Sequence, residues 1–201
     1  MSRRVKLPAV PPSAVNSDRS LFDYSIKRIL EQLPDPGTGA GAGTGREGTC
    51  NYGSFISMQS QTAPATNTPV AMELDRAETA RGVRLGGTPQ TRLVAESAGV
   101  YDFSFSVQLA SSSASLHSIY IWPRINGQDV PNSASRVTIQ GAQAKRIPAW
   151  NFVFELGVRD YFELMWAVDS LDVTIESVPP TGFSPAIPSV ILTVAQVGRS
   201  G

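Results

Sequence analysis

The sequence predicts an all-β domain, an antiparallel sandwich of about nine or ten strands, preceded by an extended arm and one short amphipathic helix. The first observation is that apolar and polar residues alternate with a period of two from Tyr52 onward. The second is that turn residues separate these segments, and the Asn126-Gly127 pair can supply the two positive φ angles of a tight hairpin. The third is that no long helical pattern lies between the segments, which excludes βαβ units and a parallel sheet.

The clearest strand pattern lies between Gly99 and Ala110, where Tyr101, Phe103 and Phe105 alternate with polar residues. One face of this strand is therefore expected in the core and the other outside it. The other candidate strands cover residues 52–59, 92–97, 118–125, 135–140, 150–156, 161–168, 171–178 and 189–197.

Three of these strands, residues 118–125, 150–156 and 161–168, are apolar on both faces, whereas a sandwich strand needs only one apolar face. A loop of the same chain or another subunit can cover the second face. Several such strands together favour a subunit interface. The candidate trimer-interface residues are Tyr120, Trp122, Val153, Tyr161, Met165, Ile191, Thr193 and Val197.

Residues 1–19 form a predicted extended arm that is basic and rich in proline. Proline fixes φ and removes hydrogen-bond donors, so the arm has no core of its own. The same prolines interrupt the apolar run that a secretion signal needs, and we therefore expect no signal peptide. The basic side chains of the arm are Arg3, Arg4 and Lys6. They favour contact with an acidic protein surface over contact with nucleic acid.

Residues 20–33 are predicted to form an amphipathic helix. Ser20 can cap its N-terminus, with Asp23 at the third position, and Pro34 ends it. A helix of this length is marginal alone in water, so it needs a surface on which to bury its apolar face. That face consists of Phe22, Ile26, Ile29, Leu30 and Leu33. We expect residues 1–33 to be an anchoring arm that docks on a partner protein through this helix.

Residues 34–50 are a predicted glycine-rich tether between the helix and the sandwich. Glycine permits nearly every backbone angle, so such a segment behaves as a flexible coil that spans roughly 20–23 Å. The run GTGAGAGTG is similar to a dinucleotide-binding loop only in its glycines. It lacks the preceding strand, the following helix and the acidic residue of that fingerprint, and we expect a spacer.

The overall charge is balanced, because 17 basic and 17 acidic side chains give a formal net charge of zero. The total charge therefore indicates neither nucleic acid nor an anionic membrane as a partner. Charged residues make up 17% of the chain, below the usual quarter, which suits packing against other protein surfaces. The single cysteine, Cys50, cannot form a disulfide within the chain. No segment approaches the roughly 20 apolar residues needed to span a bilayer.

The sequence predicts no catalytic, cofactor or metal site, and we expect the protein not to be an enzyme. His117 is the single histidine, and its place beside serines in a predicted loop favours a solvated side chain over a catalytic triad. Zinc binding needs clusters of histidine and cysteine, which the sequence lacks. Asp169, Asp172 and Glu176 could hold calcium or hydrolyse a glycoside. Because Asp172 and Glu176 share the polar face of a predicted strand, we favour an ordinary strand surface.

Two motifs resemble those of the trimeric jelly-roll domain of the C1q and tumour-necrosis-factor superfamily. Gly99-x-Tyr101-x-Phe103 resembles the family's G-x-Y-x-F strand. Residues 156–164, LGVRDYFEL, resemble its L-x-x-G-D-x-V-x-L hairpin. Arg159 stands where the family usually has glycine, and Gly157 is expected to take over the turn.

A closer resemblance is to small virion proteins of tailed bacteriophages that carry this domain. It covers about residues 95–197 and rests on the segments IYIWPRINGQDVPNSASRVTI, AWNFVFELGVRDYFELMWAVDS and PAIPSVILTVAQV. The resemblance implies a jelly-roll sandwich over residues 51–201, assembled as a homotrimer with its last strand near the three-fold axis. Residues 1–50 match no motif of the family.

These observations together predict a structural protein of the virion, assembled in the host cytoplasm. The tether would let the helix leave its own subunit and dock on a capsid or tail protein, and three copies per trimer would strengthen weak docking. Because the arm is short and the chain has no shaft or coiled coil, we expect a capsid decoration or cement protein. The alternative is a head-fibre, tail-fibre or baseplate protein whose jelly roll binds a host glycan or receptor through loops such as residues 111–115 and 179–185.

Overall fold

The structure of the protein, a computed structural model, describes residues 50–200. The predicted basic arm, the helix 20–33 and all of the tether except Cys50 lie outside the described residues. The described part contains strands and no helix. Its strands are β1 Tyr52–Ser57, β2 Gln61–Thr62, β3 Val70–Ala71, β4 Arg76–Arg81, β5 Val83–Gly86, β6 Arg92–Ala95, β7 Gly99–Val107, β8 Leu109–Ser111, β9 Leu116–Ile125, β10 Gln128–Asp129, β11 Ser135–Gln140, β12 Lys145–Arg146, β13 Ala149–Leu156, β14 Tyr161–Val168, β15 Val173–Ile175 and β16 Val190–Gly198.

The strands form three sheets in which the paired strands are antiparallel. A five-stranded sheet has the order β13-β7-β16-β1-β4. A seven-stranded sheet has the order β10-β9-β14-β6-β5, with β11 also pairing with β9 and β3 with β14. A four-stranded sheet has the order β12-β8-β15-β2. The prediction of an all-β, antiparallel architecture is confirmed.

The core lies between the five-stranded and seven-stranded sheets, as a β-sandwich requires. Phe103 of β7 and Phe162 of β14 belong to different sheets, and their rings stack with centroids 4.2 Å apart and planes 7° from parallel. Both side chains are almost fully buried, as is Trp166 of β14. The period-two patterns place these aromatic residues on the inner faces of their strands. Burial of such large side chains is the main source of stability for a domain of this kind.

The strand predicted over residues 99–110 is interrupted at Gln108, which separates β7 from β8. The backbone N–H of Gln108 donates to Ser189 O over 2.9 Å, and its carbonyl accepts from Glu176 N over 2.8 Å. The first bond continues the pairing of β7 with β16 in the five-stranded sheet, and the second continues the pairing of β8 with β15 in the four-stranded sheet. The chain therefore passes at Gln108 from the five-stranded to the four-stranded sheet.

Several short strands were not predicted, so the described chain has more strands than the expected nine or ten. The longest of them is β4, in which all six residues, RAETAR, are exposed. It has no apolar alternation because it is an edge strand held by main-chain pairing to β1, from Tyr52 opposite Arg81 to Ile56 opposite Arg76. An edge strand of this composition gives no hydrophobic signal.

The Asn126-Gly127 turn is confirmed, whereas the expected role of Gly157 is wrong. Asn126 and Gly127 have φ of 50° and 79° and join β9 to β10. In the turn that connects β13 to β14, strands of different sheets, Arg159 has the positive φ, 71°, and Gly157 does not. Arg159 N donates to Ala95 O over 2.8 Å, and the Asp160 carboxylate accepts from Gly157 N over 2.6 Å. These bonds hold Arg159 in a conformation that glycine adopts more readily.

Candidate functional site

The eight predicted interface residues lie on two different sheets, so they do not form one surface. Val153, Ile191, Thr193 and Val197 belong to the five-stranded sheet, whereas Tyr120, Trp122, Tyr161 and Met165 belong to the seven-stranded sheet. Met165 is 1% exposed and offers no surface to a second chain in this arrangement. Tyr161 is engaged within its own chain, because the Arg92 guanidinium lies 4.3 Å from the centre of its ring. The two groups of residues are therefore two separate candidate surfaces.

The first surface is the outer face of β13, β7, β16 and β1, which we name the β16 face. Its side chains form rows across the four strands, fixed by the registers of the sheet. One row is Ile56, Ile191, Ser106 and Ala149, the next is Ser54, Thr193, Ser104 and Asn151, and the third is Tyr52, Ala195, Asp102 and Val153. Uncharged side chains predominate, so the face is mostly neutral.

Two charged side chains lie on the β16 face, Asp102 and Glu155. The Asp102 carboxylate accepts a hydrogen bond of 3.0 Å from Asn151 Nδ2 within the face. Val153 is 54% exposed, and Val197, at the irregular end of β16, is 60% exposed. Exposed apolar side chains grouped with small polar ones on a sheet face are typical of surfaces that contact another protein.

The edge of the same sheet at β13 carries an aromatic ladder of Trp150, Phe152 and Phe154, all half-buried. The Trp150 ring meets Phe105 edge to face, with centroids 4.6 Å apart. Trp150 also lines a groove of about 1060 Å³ between β11 and the β12–β13 region, which we name the Trp150 groove. Trp150 Nε1 is buried and has no hydrogen-bond partner among the described residues. An indole N–H in that state lacks the acceptor that buried donors normally have.

The second surface is an open groove of about 650 Å³ on the outer face of the seven-stranded sheet, which we name the Trp122 groove. Tyr120 and Trp122 stand on the same face of β9, two residues apart, and Tyr120 is 38% exposed. Ala167 of the neighbouring strand β14 is the cross-strand partner of Tyr120 and also lines the groove. Side chains from two loops complete the lining, including Asn67 and Asn132.

Asp129, which lines the Trp122 groove, forms an ion pair with Arg124. Trp122 Nε1 donates to Asp129 Oδ1 over 2.8 Å, and Arg124 Nε donates to the same oxygen over 2.7 Å. The bond from Arg124, and then that from Trp122, lowers the pKa of Asp129 below its ordinary value of 3.8. The bond to Asp129 likewise raises the pKa of Arg124. Asp129 therefore stays ionised, and the indole of Trp122 is held in one orientation.

His117 is not in a loop, and the expectation of a solvated histidine is wrong. It is the second residue of β9, pairs with Ile139 of β11 and is 9% exposed. Its Nδ1 lies 3.5 Å from Asp169 Oδ1, and its Nε2 lies 4.0 Å from Asp172 Oδ2. Nε2 is buried without a hydrogen-bond partner among the described residues. Among the described residues, no serine or threonine hydroxyl is hydrogen-bonded to this imidazole as a catalytic triad would require.

The predicted strand face of Asp172 and Glu176 is also wrong, because β15 covers only Val173–Ile175. Asp172 belongs to the preceding turn, in which its N–H bonds to Ser170 Oγ over 3.2 Å. Glu176 follows the strand and forms an ion pair with Lys145. The two carboxylates are thus engaged separately. Within residues 50–200, no group of three or more histidine, cysteine, aspartate or glutamate side chains has the geometry to hold a metal ion.

The two loops considered for ligand binding differ in their exposed side chains. The serine-rich loop 111–115 is held by its own hydroxyls, since Ser111 Oγ accepts from Ser113 N over 3.3 Å. The loop 179–185 exposes Phe183, of which 93% is accessible. Neither loop groups several aromatic side chains, whereas the Trp122 groove does. Tyr120 and Trp122, which the sequence analysis placed together among the candidate interface residues, line this groove together.

The predicted docking helix (Phe22, Ile26, Ile29, Leu30, Leu33) and the basic arm (Arg3, Arg4, Lys6) lie outside the described residues. Among residues 50–200, none belongs to a helix long and apolar enough to cross a membrane. A scan against models of known protein families finds no match to the chain, and a search of curated proteins finds no significant match. The resemblance to the C1q and tumour-necrosis-factor superfamily thus rests on the sequence motifs alone.

Proposed function

We propose that the protein is a structural component of a bacteriophage virion, a homotrimer of jelly-roll domains attached by its N-terminal arm. Within this class we favour a capsid decoration or cement protein. The observation that carries the proposal is the β16 face, a mostly uncharged sheet surface with exposed apolar side chains. The arm, residues 1–33, would dock on a capsid or tail protein through the apolar face of its helix.

The strand pairing supports a jelly roll. Eight strands, counted in chain order from first to eighth, are β1, β6, β7, β9, β11, β13, β14 and β16. The first pairs with the eighth, the second with the seventh, the third with the sixth and the fourth with the fifth. This nested pairing is what results when one long antiparallel hairpin is wound into two facing sheets. A C1q-like or tumour-necrosis-factor-like domain would have this connectivity.

The chemistry of the β16 face supports assembly with identical copies. Ile56 and Ile191 form an adjacent apolar pair in a row that continues with Ser106 and Ala149. Desolvating such a row costs little free energy, because it has few charges and its polar groups are small. A ring of three copies around one axis would bury this row in every chain.

A trimer also gives the N-terminal arm a physical purpose. A single short helix binds weakly, because ordering it opposes the gain from burying its apolar face. Three arms on one trimer raise the effective concentration of the second and third helices once the first has docked. Attachment can therefore be firm although each contact is weak.

A second candidate is a head-fibre or tail-fibre protein whose domain binds a host glycan. The observation that favours it is the Trp122 groove, where two aromatic side chains and several polar groups border one open cavity. This candidate is compatible with a trimer and with an anchoring arm. It differs from a decoration or cement protein because its domain binds a ligand.

The experiment that tests the virion role is detection of the chain in purified virus particles. Full-length protein should band with the particles in a density gradient, and a variant lacking residues 1–33 should stay with the unbound protein. The matched control is Ile26→Asp with Leu30→Asp, which keeps the arm but removes its apolar face. It should lose attachment while its oligomeric state is unchanged. A full-length chain that never bands with particles would overturn the proposal.

A further inference from the structure

The Trp122 groove has the volume of a small-molecule site and is open to solvent on one side. Its volume of about 650 Å³ lies within the range of roughly 300–1,000 Å³ that ligand sites usually have. Tyr120 and Trp122 project from one strand at positions 120 and 122, so their rings stand side by side roughly 7 Å apart along the strand. The lining includes Asn67, Tyr120, Trp122, Asp129, Asn132 and Ala167.

The polar groups of the groove are preorganised. Trp122 Nε1 and Arg124 Nε both bond to Oδ1 of Asp129, so the bonds described for this carboxylate leave Oδ2 to accept from a ligand. Asn67 and Asn132 adopt positive φ angles of 53° and 59°, which asparagine tolerates better than most residues. The N–H of Asn67 donates to Val168 O over 2.7 Å and fixes its loop to the end of β14. Fixed donors and acceptors reduce the entropy lost on binding.

The charge of the groove argues against an ionic ligand. Asp129 is the one charged residue of the lining, and the guanidinium of Arg124 compensates it at 2.7 Å. Arg136, the cross-strand partner of Tyr120, is exposed and lies outside the lining. A phosphate would meet the Asp129 carboxylate, and an ammonium group would compete with Arg124. A neutral ligand meets neither obstacle.

We propose that the Trp122 groove binds a neutral pyranose unit at the end of a glycan chain. A pyranose has an apolar C–H face that can lie on the rings of Tyr120 and Trp122. Its hydroxyl groups are both donors and acceptors, which suits the amides of Asn67 and Asn132 and the free lone pairs of Asp129 Oδ2. The proposal deepens the second candidate function by naming the site and the chemical class of its ligand.

The test is a sugar titration of the purified full-length chain labelled with 5-fluorotryptophan. The protein has three tryptophans, so ¹⁹F NMR gives three signals, and Trp122→Phe identifies the one from the groove. The probes are the methyl glycosides of glucose, galactose, mannose, N-acetylglucosamine and N-acetylgalactosamine. Saturable movement of the Trp122 signal is expected for at least one of them, with a dissociation constant of about 1–10 mM given the small size of the ligand. The signal of Trp166, which is 1% exposed, should not move.

Variants separate the groove from other sites. Tyr120→Ala should weaken binding about tenfold, the usual effect of losing one aromatic contact. Trp150→Phe alters an indole on the other sheet and should leave the affinity unchanged. The proposal is overturned if none of the five glycosides moves the Trp122 signal at about 50 mM, which exceeds the expected dissociation constant several-fold. It is also overturned if only free reducing sugars bind, or if choline binds more tightly than every glycoside.

The outcome is independent of particle attachment, because the titration uses the isolated chain. A chain that binds a glycoside but does not band with virus particles would support the glycan site and refute the virion role. A chain that bands with particles but binds none of the probes would support the virion role and refute the glycan site.

Discussion

Ile56 of β1 and Ile191 of β16 lie directly opposite each other on the outer face of the five-stranded sheet, and both are only partly buried. Their immediate neighbours in the sequence, Phe55 and Leu192, form another opposite pair that is buried in the core. The same two strands thus carry one apolar pair inward and one outward. The outward pair lies outside the core formed by the described residues, and the proposed contact between copies would cover it.

Ile191→Asp should dissociate the assembly without unfolding the chain. The substitution places a charge in the apolar row of the β16 face, which would have to be desolvated in the contact. A loss of about 2 kcal/mol per contact is expected, which is about 30-fold in the dissociation constant. Sedimentation velocity over a concentration series measures it. Leu171→Asp is the matched control, because Leu171 is 52% exposed and lies in a turn away from this face. If Ile191→Asp and Leu171→Asp change the dissociation constant of the assembly equally, the β16 face is not the contact between copies.

Asp129→Asn should lower stability at neutral pH but not in acid. The pKa of Asp129 is depressed in the folded chain, so its ion pair with Arg124 stabilises the fold above about pH 4 and loses that effect as the carboxyl protonates below 3.8. Because the carboxylate is 51% exposed, solvent screening limits the effect to about 0.5–1 kcal/mol. Urea unfolding at pH 7 and near pH 3 measures the difference. A difference of the same size at both pH values would show that the charge is not its source.

Arg159→Gly should stabilise the fold by about 0.5–1 kcal/mol, because glycine relieves the strain of a positive φ at this position. The side chain of Arg159 is exposed, so little packing is lost. Arg159→Ala removes the same side chain but keeps the strained backbone, and it should be close to neutral. Thermal unfolding of the three proteins under one set of conditions compares them. A gain for alanine equal to that for glycine would mean that the side chain, not φ, is responsible.

Asn51→Ala should destabilise the fold by about 1–3 kcal/mol, the cost of leaving buried polar partners unsatisfied. Asn51 is 5% exposed, and its Nδ2 lies within hydrogen-bond distance of Ser97 Oγ, Tyr101 Oη and Gln196 Oε1. It therefore ties the start of β1 to β7 and β16. Gln140→Ala, which removes an exposed amide, is the control and should change stability by less than about 0.5 kcal/mol. Urea unfolding measures both, and similar values would contradict this role of Asn51.

The sequence predicted the strands whose side chains alternate strongly, because burial of one face produces a visible period of two. β7 is the clearest case, since buried and more exposed residues alternate along it from Gly99 to Val107. β4 was missed because all its side chains are exposed and its stability comes from main-chain bonds to β1. Main-chain pairing leaves no trace in the side-chain pattern, so edge strands of this kind cannot be found from periodicity.

The candidate sites depended on contacts between residues far apart in the sequence. Tyr120 and Trp122 are near neighbours and were singled out together, but their setting depends on Asn67, which comes from another part of the chain. His117 was placed in a loop because serines precede it, and its pairing with Ile139 of β11 could not be seen locally. Spacing thus indicates which side chains share a strand face, whereas the partners of that face come from the topology.

The central claim is that identical copies assemble through the β16 face, and the mass of the purified full-length chain in solution tests it most directly. Sedimentation equilibrium at micromolar concentration should give three times the mass of one chain, and Ile191→Asp should shift the wild-type value toward a single chain. A wild-type protein that sediments as a single chain throughout the concentration series would contradict the account.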